Sequence, residues 1–265
     1  MSGGVDHRLS RIFASGSFKS LIVPIDDSLI SGPVAGLQSA PEKVLAIAEA
    51  GPDAVIGFVG QFYRFAPQLS ATSWIVNLTA STKRRDHTRK RQVTSVMAAL
   101  GAGADCVAVH VNFTSRYQSQ MLRILSQVTA EAHDVSLPVL AIAYARAETQ
   151  AGEDENYAAL QEQQEAEYAD LVAHAVRVVV DLGADAVKTN FTGSAETFER
   201  VILAANGRPV VTAGGPLVPE SQAVERARLA IKAGAAGISF GRNVFSRDRP
   251  TQVLAQLREA LREEP

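Results

Sequence analysis

Short unbroken apolar runs alternate with longer amphipathic stretches along the chain. Residues 20–26, 54–58, 74–79, 105–111, 138–144, 184–188, 208–212 and 236–240 read as eight strands. They are continuous apolar runs, the pattern of parallel strands covered on both faces. Between them, apolar positions recur at helical spacing over 41–50, 61–69, 88–100, 117–133, 195–206, 221–233 and 251–262. A strongly polar stretch, 148–168, leads into a further helix that runs to about 182. A short lead-in, 7–18, sets Leu9, Ile12 and Phe13 on one side. Residues 27–33 read as a loop closed by Ser31-Gly32-Pro33.

Eight βα units in about 250 residues is the count of a closed (β/α)₈ TIM barrel. The expected fold class is therefore α/β, one barrel domain over residues 1–265 with the polar insertion after strand five. Gly51-Pro52-Asp53, Gly103-Ala104-Asp105 and Gly183-Ala184-Asp185 each precede a strand, and Gly234-Ala235-Ala236 is a fourth echo. In each, a glycine ends a helix and turns the chain into the next strand. A doubly wound open sheet would carry a Gly-rich turn after its first strand, and here that turn is Asp26-Asp27-Ser28.

Composition narrows the classes. The chain is 46% hydrophobic and 20% charged, enough to bury a large core. A net charge of −2 gives no reason to expect nucleic acid. Cys106 is the single cysteine, which rules out an intrachain disulfide and fits a reducing cytoplasm. The first ten residues hold no apolar core of signal-peptide length, and no stretch approaches the roughly 18 apolar residues of a membrane span. A cytoplasmic protein without membrane attachment is expected.

In this barrel, sites form at the C-terminal ends of the strands. Those ends are Asp26, Asn77, His110, Tyr144, Lys188, Gly214-Gly215 and Gly241-Arg242. Lys188 stands in Ala186-Val187-Lys188-Thr189-Asn190, where an ammonium is costly to bury. Such a lysine either reaches water at the strand end or is held inside a site as an amine nucleophile that forms a Schiff base with a carbonyl. The gathering of an amine, a phenol and a carboxylate favours the second. The turns Ala213-Gly214-Gly215-Pro216 and Gly241-Arg242-Asn243 follow strands seven and eight, the usual phosphate site of these barrels. Glycines admit backbone N–H groups to a phosphate and arginine adds charge-assisted hydrogen bonds. The five histidines are scattered and nothing has metal-ligand spacing, so no metal and no cofactor are expected. The run Lys83-Arg84-Arg85-Asp86-His87-Thr88-Arg89-Lys90-Arg91 holds six lysines and arginines in nine positions. It reads as a solvated face, or else as a lure for an anionic substrate or a contact to a neighbouring subunit. The polar stretch reads as a lid, an oligomer contact or an exposed helix.

These residues carry a resemblance. Val23-Pro24-Ile25-Asp26, Val109-His110-Val111-Asn112, Ala143-Tyr144, Val187-Lys188-Thr189-Asn190-Phe191-Thr192-Gly193, Ala213-Gly214-Gly215-Pro216 and Gly241-Arg242-Asn243-Val244-Phe245 run in register over nearly the whole chain. Together with Arg8-Leu9-Ser10-Arg11-Ile12-Phe13, they make the chain resemble the archaeal-type class I fructose-bisphosphate aldolases. It is most similar to their branch of 2-amino-3,7-dideoxy-D-threo-hept-6-ulosonate synthase and the aldolases of aminohydroxybenzoate biosynthesis. The resemblance implies a metal-independent aldolase or transaldolase. The donor would be dihydroxyacetone phosphate or a deoxy-keto-hexose phosphate, and the acceptor an aldehyde such as aspartate semialdehyde. It implies Lys188 as the Schiff-base lysine, Tyr144 as the acid/base, and Asp26 as the group assisting carbinolamine formation and dehydration. Gly214, Gly215, Gly241 and Arg242 would hold the phosphate, with His110 and Asp27 lining the pocket. A homo-oligomer is also implied. Fructose 1,6-bisphosphate cleavage, a phospho-sugar thiolase and an inactive sugar-phosphate-binding barrel are the rivals. One departure stands out: the family's Asp-His-Gly at the end of strand one is here Asp26-Asp27-Ser28.

Overall fold

The apolar runs form eight parallel strands: β1 (Ser20–Pro24), β2 (Ala54–Gly57), β3 (Ser73–Asn77), β4 (Cys106–Thr114), β5 (Val139–Glu148), β6 (Ala186–Asn190), β7 (Val210–Ala213) and β8 (Gly237–Ser239). The computed structural model describes residues 3–13, 19–37 and 40–262. Each strand pairs with the next, β4 with β5 along eight residue pairs, and β8 returns to β1 through Leu21 opposite Ile238. The sheet is thus a closed barrel with its helices outside.

Two shells of apolar side chains follow from the alternation of strand residues. Outward residues such as Val55, Val107, Val187 and Ile238 pack beneath the helices. Inward residues, among them Ile22, Ile56, Ile75, Leu140, Ile142 and Val211, fill the barrel. Helix Gly3–Ile12 closes the floor by setting Ile12, with Leu9 and Phe13, against that inner cluster. Each such Ile or Leu withdrawn from water contributes roughly 1.5–3 kcal/mol. Residues 14–18 of the expected lead-in lie outside the described residues.

The Gly-Ala-Asp echoes have a second use that spacing did not reveal. Each aspartate reaches to the neighbouring strand and accepts from a backbone N–H there. Asp53 accepts from Leu21 N at 2.7 Å, Asp105 from Trp74 N at 3.0 Å and Asp185 from Val139 N at 2.9 Å. Each also takes a cationic or imidazole partner: Arg258 for Asp53, Arg11 for Asp105, and both His133 and Arg208 for Asp185. The motif therefore ties β1 to β2, β3 to β4 and β5 to β6 at the foot of the barrel. The glycines stand at positive φ, +93° at Gly103 and +95° at Gly183, which a side chain would strain.

Four local expectations are corrected. The loop after β1 is a helical turn, Asp27–Ser31, stabilised by Ser31 Oγ donating to Asp27 at 2.9 Å. The helix expected over 88–100 begins only at Val96, capped by Ser95. Its first part is instead an antiparallel ribbon in which Arg91–Gln92 pairs with Thr79–Ala80. Glycine turn 241–243 opens a four-residue helix, Arg242–Phe245. The polar stretch extends β5, whose end pairs antiparallel with Asp154–Glu155, and then forms helix Ala158–Gln163 before helix Glu165–Asp181. No helix among the described residues is long and apolar enough to cross a membrane.

Candidate active site

Lys188 lies on the inward face of β6, in alternation with outward Val187. Thr189 fixes the strand locally by donating to Ala143 O of β5 at 2.7 Å. The turn that follows ends in Ser194, which caps helix Ala195–Ala204 by accepting from Thr197 N. Lys188 is 6% exposed, at the bottom of a pocket in the barrel mouth. Burial pushes its pKa down to about 8; Asp26 and Asp27 oppose that shift and Arg242 adds to it. Near neutrality, a useful fraction of this amine is unprotonated.

Asp26 follows β1 and is buried beside this amine. Asn77 at the end of β3 donates to its Oδ2 at 2.9 Å. Burial raises the Asp26 pKa, while Lys188 and the Asn77 bond hold it down. The carboxyl can therefore carry a proton or give it up. Asp27 lines the pocket one residue further on and adds a second negative charge.

Tyr144 on β5 and His110 on β4 meet edge to face, with ring centroids 4.9 Å apart. Burial, then the charge of Asp26, raises the Tyr144 pKa, so the phenol stays protonated and can donate. Burial and the cations Lys90, Arg146 and Lys188 hold His110 well below the usual imidazole range. It is a neutral ring whose buried Nε2 has no hydrogen-bond partner.

Across the mouth, the two glycine turns are locked by Asn243. Its Nδ2 donates to Gly214 O and Pro216 O, both at 2.9 Å, and its Oδ1 accepts from Val218 N at 3.1 Å. Arg226 adds a bond to Gly214 O at 2.7 Å. A Cβ at Gly214 would stand 3.0 Å from the Phe240 ring, so a side chain there would push on that ring. Gly214, Gly215, Gly241 and Arg242 all line the same pocket. That arrangement can hold a phosphate.

The pocket encloses about 160 Å³, and all nine site residues expected from the sequence line it. It also has lining residues that sequence reasoning missed: Lys83, His87, Lys90 and Arg146. The basic run is thus not one solvated face. Arg84, Arg85, Arg89 and Arg91 are not in the pocket, whereas Lys90 is 2% exposed and turned into it. The ribbon Thr79–Ala80/Arg91–Gln92 and Asn112 Nδ2 donating to Thr88 O at 2.7 Å fold the segment over the mouth. Thr88 also donates to Glu148, which accepts from Ser115 Oγ at 2.7 Å. Burial lowers the Lys90 pKa to about 7, with Arg146 adding to that, and lowers His87 to about 4. Arg146 is held by both oxygens of Asp154, Nε to Oδ1 at 2.6 Å, so the acidic insertion neutralises one of these cations. Among the described residues, no three His, Cys, Asp or Glu side chains gather as metal ligands.

Comparison with known proteins gives the family. Over 255 residues the chain is 36% identical to a 2-amino-3,7-dideoxy-D-threo-hept-6-ulosonate synthase of Halobacterium salinarum, covering 96% of this chain and 90% of that protein. It is 34% identical, over 96% of its own length and 89% of the relative's, to a 2-amino-4,5-dihydroxy-6-oxo-7-(phosphonooxy)heptanoate synthase of Streptomyces griseus. Among solved structures, an archaeal fructose 1,6-bisphosphate aldolase superposes with a TM-score of 0.84 at 27% identity, covering 97% of this chain and 99% of that one. A Schiff base forming fructose-1,6-bisphosphate aldolase superposes with a TM-score of 0.82 at 25% identity, covering 96% and 98%. The model of the DeoC/LacD family aldolases matches residues 20–247. The chain belongs to the DeoC/LacD aldolase family, within its class I, Schiff-base-forming aldolases.

Proposed function

We propose that this chain joins a ketose phosphate to a short aldehyde, with Lys188 as the amine that forms the imine. The observation that carries this reading is a lysine buried in a pocket, its pKa near 8, beside a buried carboxyl. Neutral Lys188 adds to the ketone to give a carbinolamine. Protonated Asp26 gives its proton to the departing water, which leaves an iminium and a carboxylate. That carboxylate takes the proton from the carbon next to the iminium, and the enamine forms. As the enamine attacks the aldehyde, Tyr144 donates its phenolic proton to the new alkoxide. Water then adds to the product iminium, its proton returns to Tyr144, and the ketone leaves Lys188 as free amine. The donor phosphate is held by the turns at Gly214-Gly215 and Gly241-Arg242, with His110 and Asp27 as further walls.

The relatives suggest the partners. The product for which the Streptomyces griseus relative is named has its ketone at C6 and its phosphate on C7. Cutting the bond one carbon removed from that ketone, C4–C5, yields dihydroxyacetone phosphate and aspartate semialdehyde. We assign the same pair to this chain, with a deoxy-keto-hexose phosphate as an alternative donor. Fructose 1,6-bisphosphate cleavage is the second reading, favoured by the solved neighbours. Exposed apolar side chains on the outer face, Leu203 at 73%, Tyr63 at 64% and Met97 at 62%, support a homo-oligomer, and we place the protein in the cytoplasm. The test is incubation with dihydroxyacetone phosphate and aspartate semialdehyde, followed by mass spectrometry. A new seven-carbon amino keto acid phosphate is expected. Cleavage of fructose 1,6-bisphosphate with no such product would establish the second reading.

A further inference from the structure

We propose that Lys90 selects the acceptor aldehyde by pairing with a carboxylate at that substrate's far end. The inference rests on the aldolase reading of the same pocket. Lys90 is among the largest fully buried side chains, yet among the described residues its ammonium makes a single hydrogen bond, to Ser81 Oγ at 2.7 Å. Ser81 spends its own hydroxyl proton on His87 O. An ammonium has three donors, so two remain for a ligand. Among the described residues no carboxylate comes within ion-pair reach of Lys90; Asp26, Asp154 and Asp27 act on it only from a distance. A buried cation without a counter-ion is costly, and a side chain kept there only to fill space would be apolar.

The charge around it fits one carboxylate. Arg146 is already matched by Asp154. His87 and His110 are neutral near pH 7, and the buried Nδ1 of His87 and Nε2 of His110 lack partners. This side of the pocket therefore holds one buried amine with no counter-ion among the described residues, which a carboxylate would draw into its ammonium form, and two neutral rings with unpartnered nitrogens. Lys83, the other unpaired cation on this side of the lining, is exposed. Position fits as well. Lys90 follows β3 and Arg146 ends β5, on the side of the ring away from the β7 and β8 turns. A ketose phosphate anchored at those turns and bound through its ketone to Lys188 on β6 leaves the β3–β5 side to the aldehyde. A dianionic phosphate would call for more buried donors than one ammonium and neutral rings supply, since Lys83 stays exposed.

The test compares the wild type with Lys90→Met and Lys90→Gln, both checked for folding by thermal melting, so that one serves if the other does not fold. Dihydroxyacetone phosphate is the donor. Aspartate semialdehyde, butanal and glyceraldehyde 3-phosphate are the acceptors. We expect kcat/KM for aspartate semialdehyde to fall about 30- to 100-fold, mainly through KM, and that for butanal by no more than about threefold, since a site built to pair a polar group loses most when the pairing is broken. Equal losses for the two acceptors, or no preference of the wild type for the carboxylated one, would overturn the proposal. So would a larger loss for glyceraldehyde 3-phosphate, which would make the subsite a phosphate site. Borohydride reduction with the donor alone separates the two claims. If the wild type traps no donor, the aldolase reading fails and this inference with it. If wild type and variants all trap it and selectivity is unchanged, only the role of Lys90 fails.

Discussion

Asn77 donates its side-chain amide to Asp26 Oδ2 at 2.9 Å, linking the end of β3 to the carboxyl that faces Lys188. That bond favours the carboxylate, and with Lys188 it opposes a burial that would otherwise keep Asp26 protonated. The state of Asp26 in turn helps to set that of Lys188, because the negative form attracts the ammonium. Asn77→Leu removes the bond. Asp26 is then expected to stay protonated to higher pH, and kcat/KM to fall roughly tenfold, the scale of a shift of about one pH unit. The pH–rate profile of the variant checks this, since a merely structural loss would lower the whole profile without moving it.

In the proposed mechanism Lys188 reacts only as free amine. Its folded-state pKa of about 8 lies below the ordinary lysine value, so below pH 8 the reactive fraction shrinks as pH falls. The expected profile of kcat/KM climbs about tenfold per pH unit up to about pH 8 and then levels. Lys188→Ala should lower turnover by roughly 10⁴-fold or more, the scale seen when a nucleophile is removed.

Asp27 raises the pKa of both Lys188 and Asp26 through its charge. Asp27→Asn takes that charge away. Both pKa values should drop, and the rising limb of the rate profile should move to lower pH. An unmoved limb would mean that Asp27 is too well solvated to act on the pair.

Much of this was legible in the sequence. The eight apolar runs and the glycine echoes gave the barrel, because burial on both faces leaves no alternation to misread. Strand ends then named Asp26, His110, Tyr144, Lys188 and the two glycine turns, all of which line the pocket, since topology alone brings strand C-termini together. Lys90 was not legible. A run of six lysines and arginines looks uniformly solvated until a two-residue ribbon and two side-chain bonds, from Asn112 and Thr88, turn one position inward. Such bonds span 24 and 60 positions of sequence and leave no local pattern. The aspartates of the echoes were likewise read as part of a turn, whereas their partners lie on the neighbouring strand.

Asp185 gives the cleanest test of those aspartates, because it is fully buried and serves both Val139 N and His133. Asp185→Ala strands a buried N–H at the foot of β5. It should lower stability by about 2–3 kcal/mol in urea unfolding while leaving the slope unchanged.

The measurement that bears most directly on the central claim is borohydride trapping with peptide mapping. The protein is incubated with dihydroxyacetone phosphate, reduced, digested and mapped by tandem mass spectrometry, alongside Lys188→Ala. One reduced adduct is expected, on Lys188 and absent from the variant. An adduct on Lys90 or Lys83 that persists in Lys188→Ala, or none with any ketose phosphate, would contradict it.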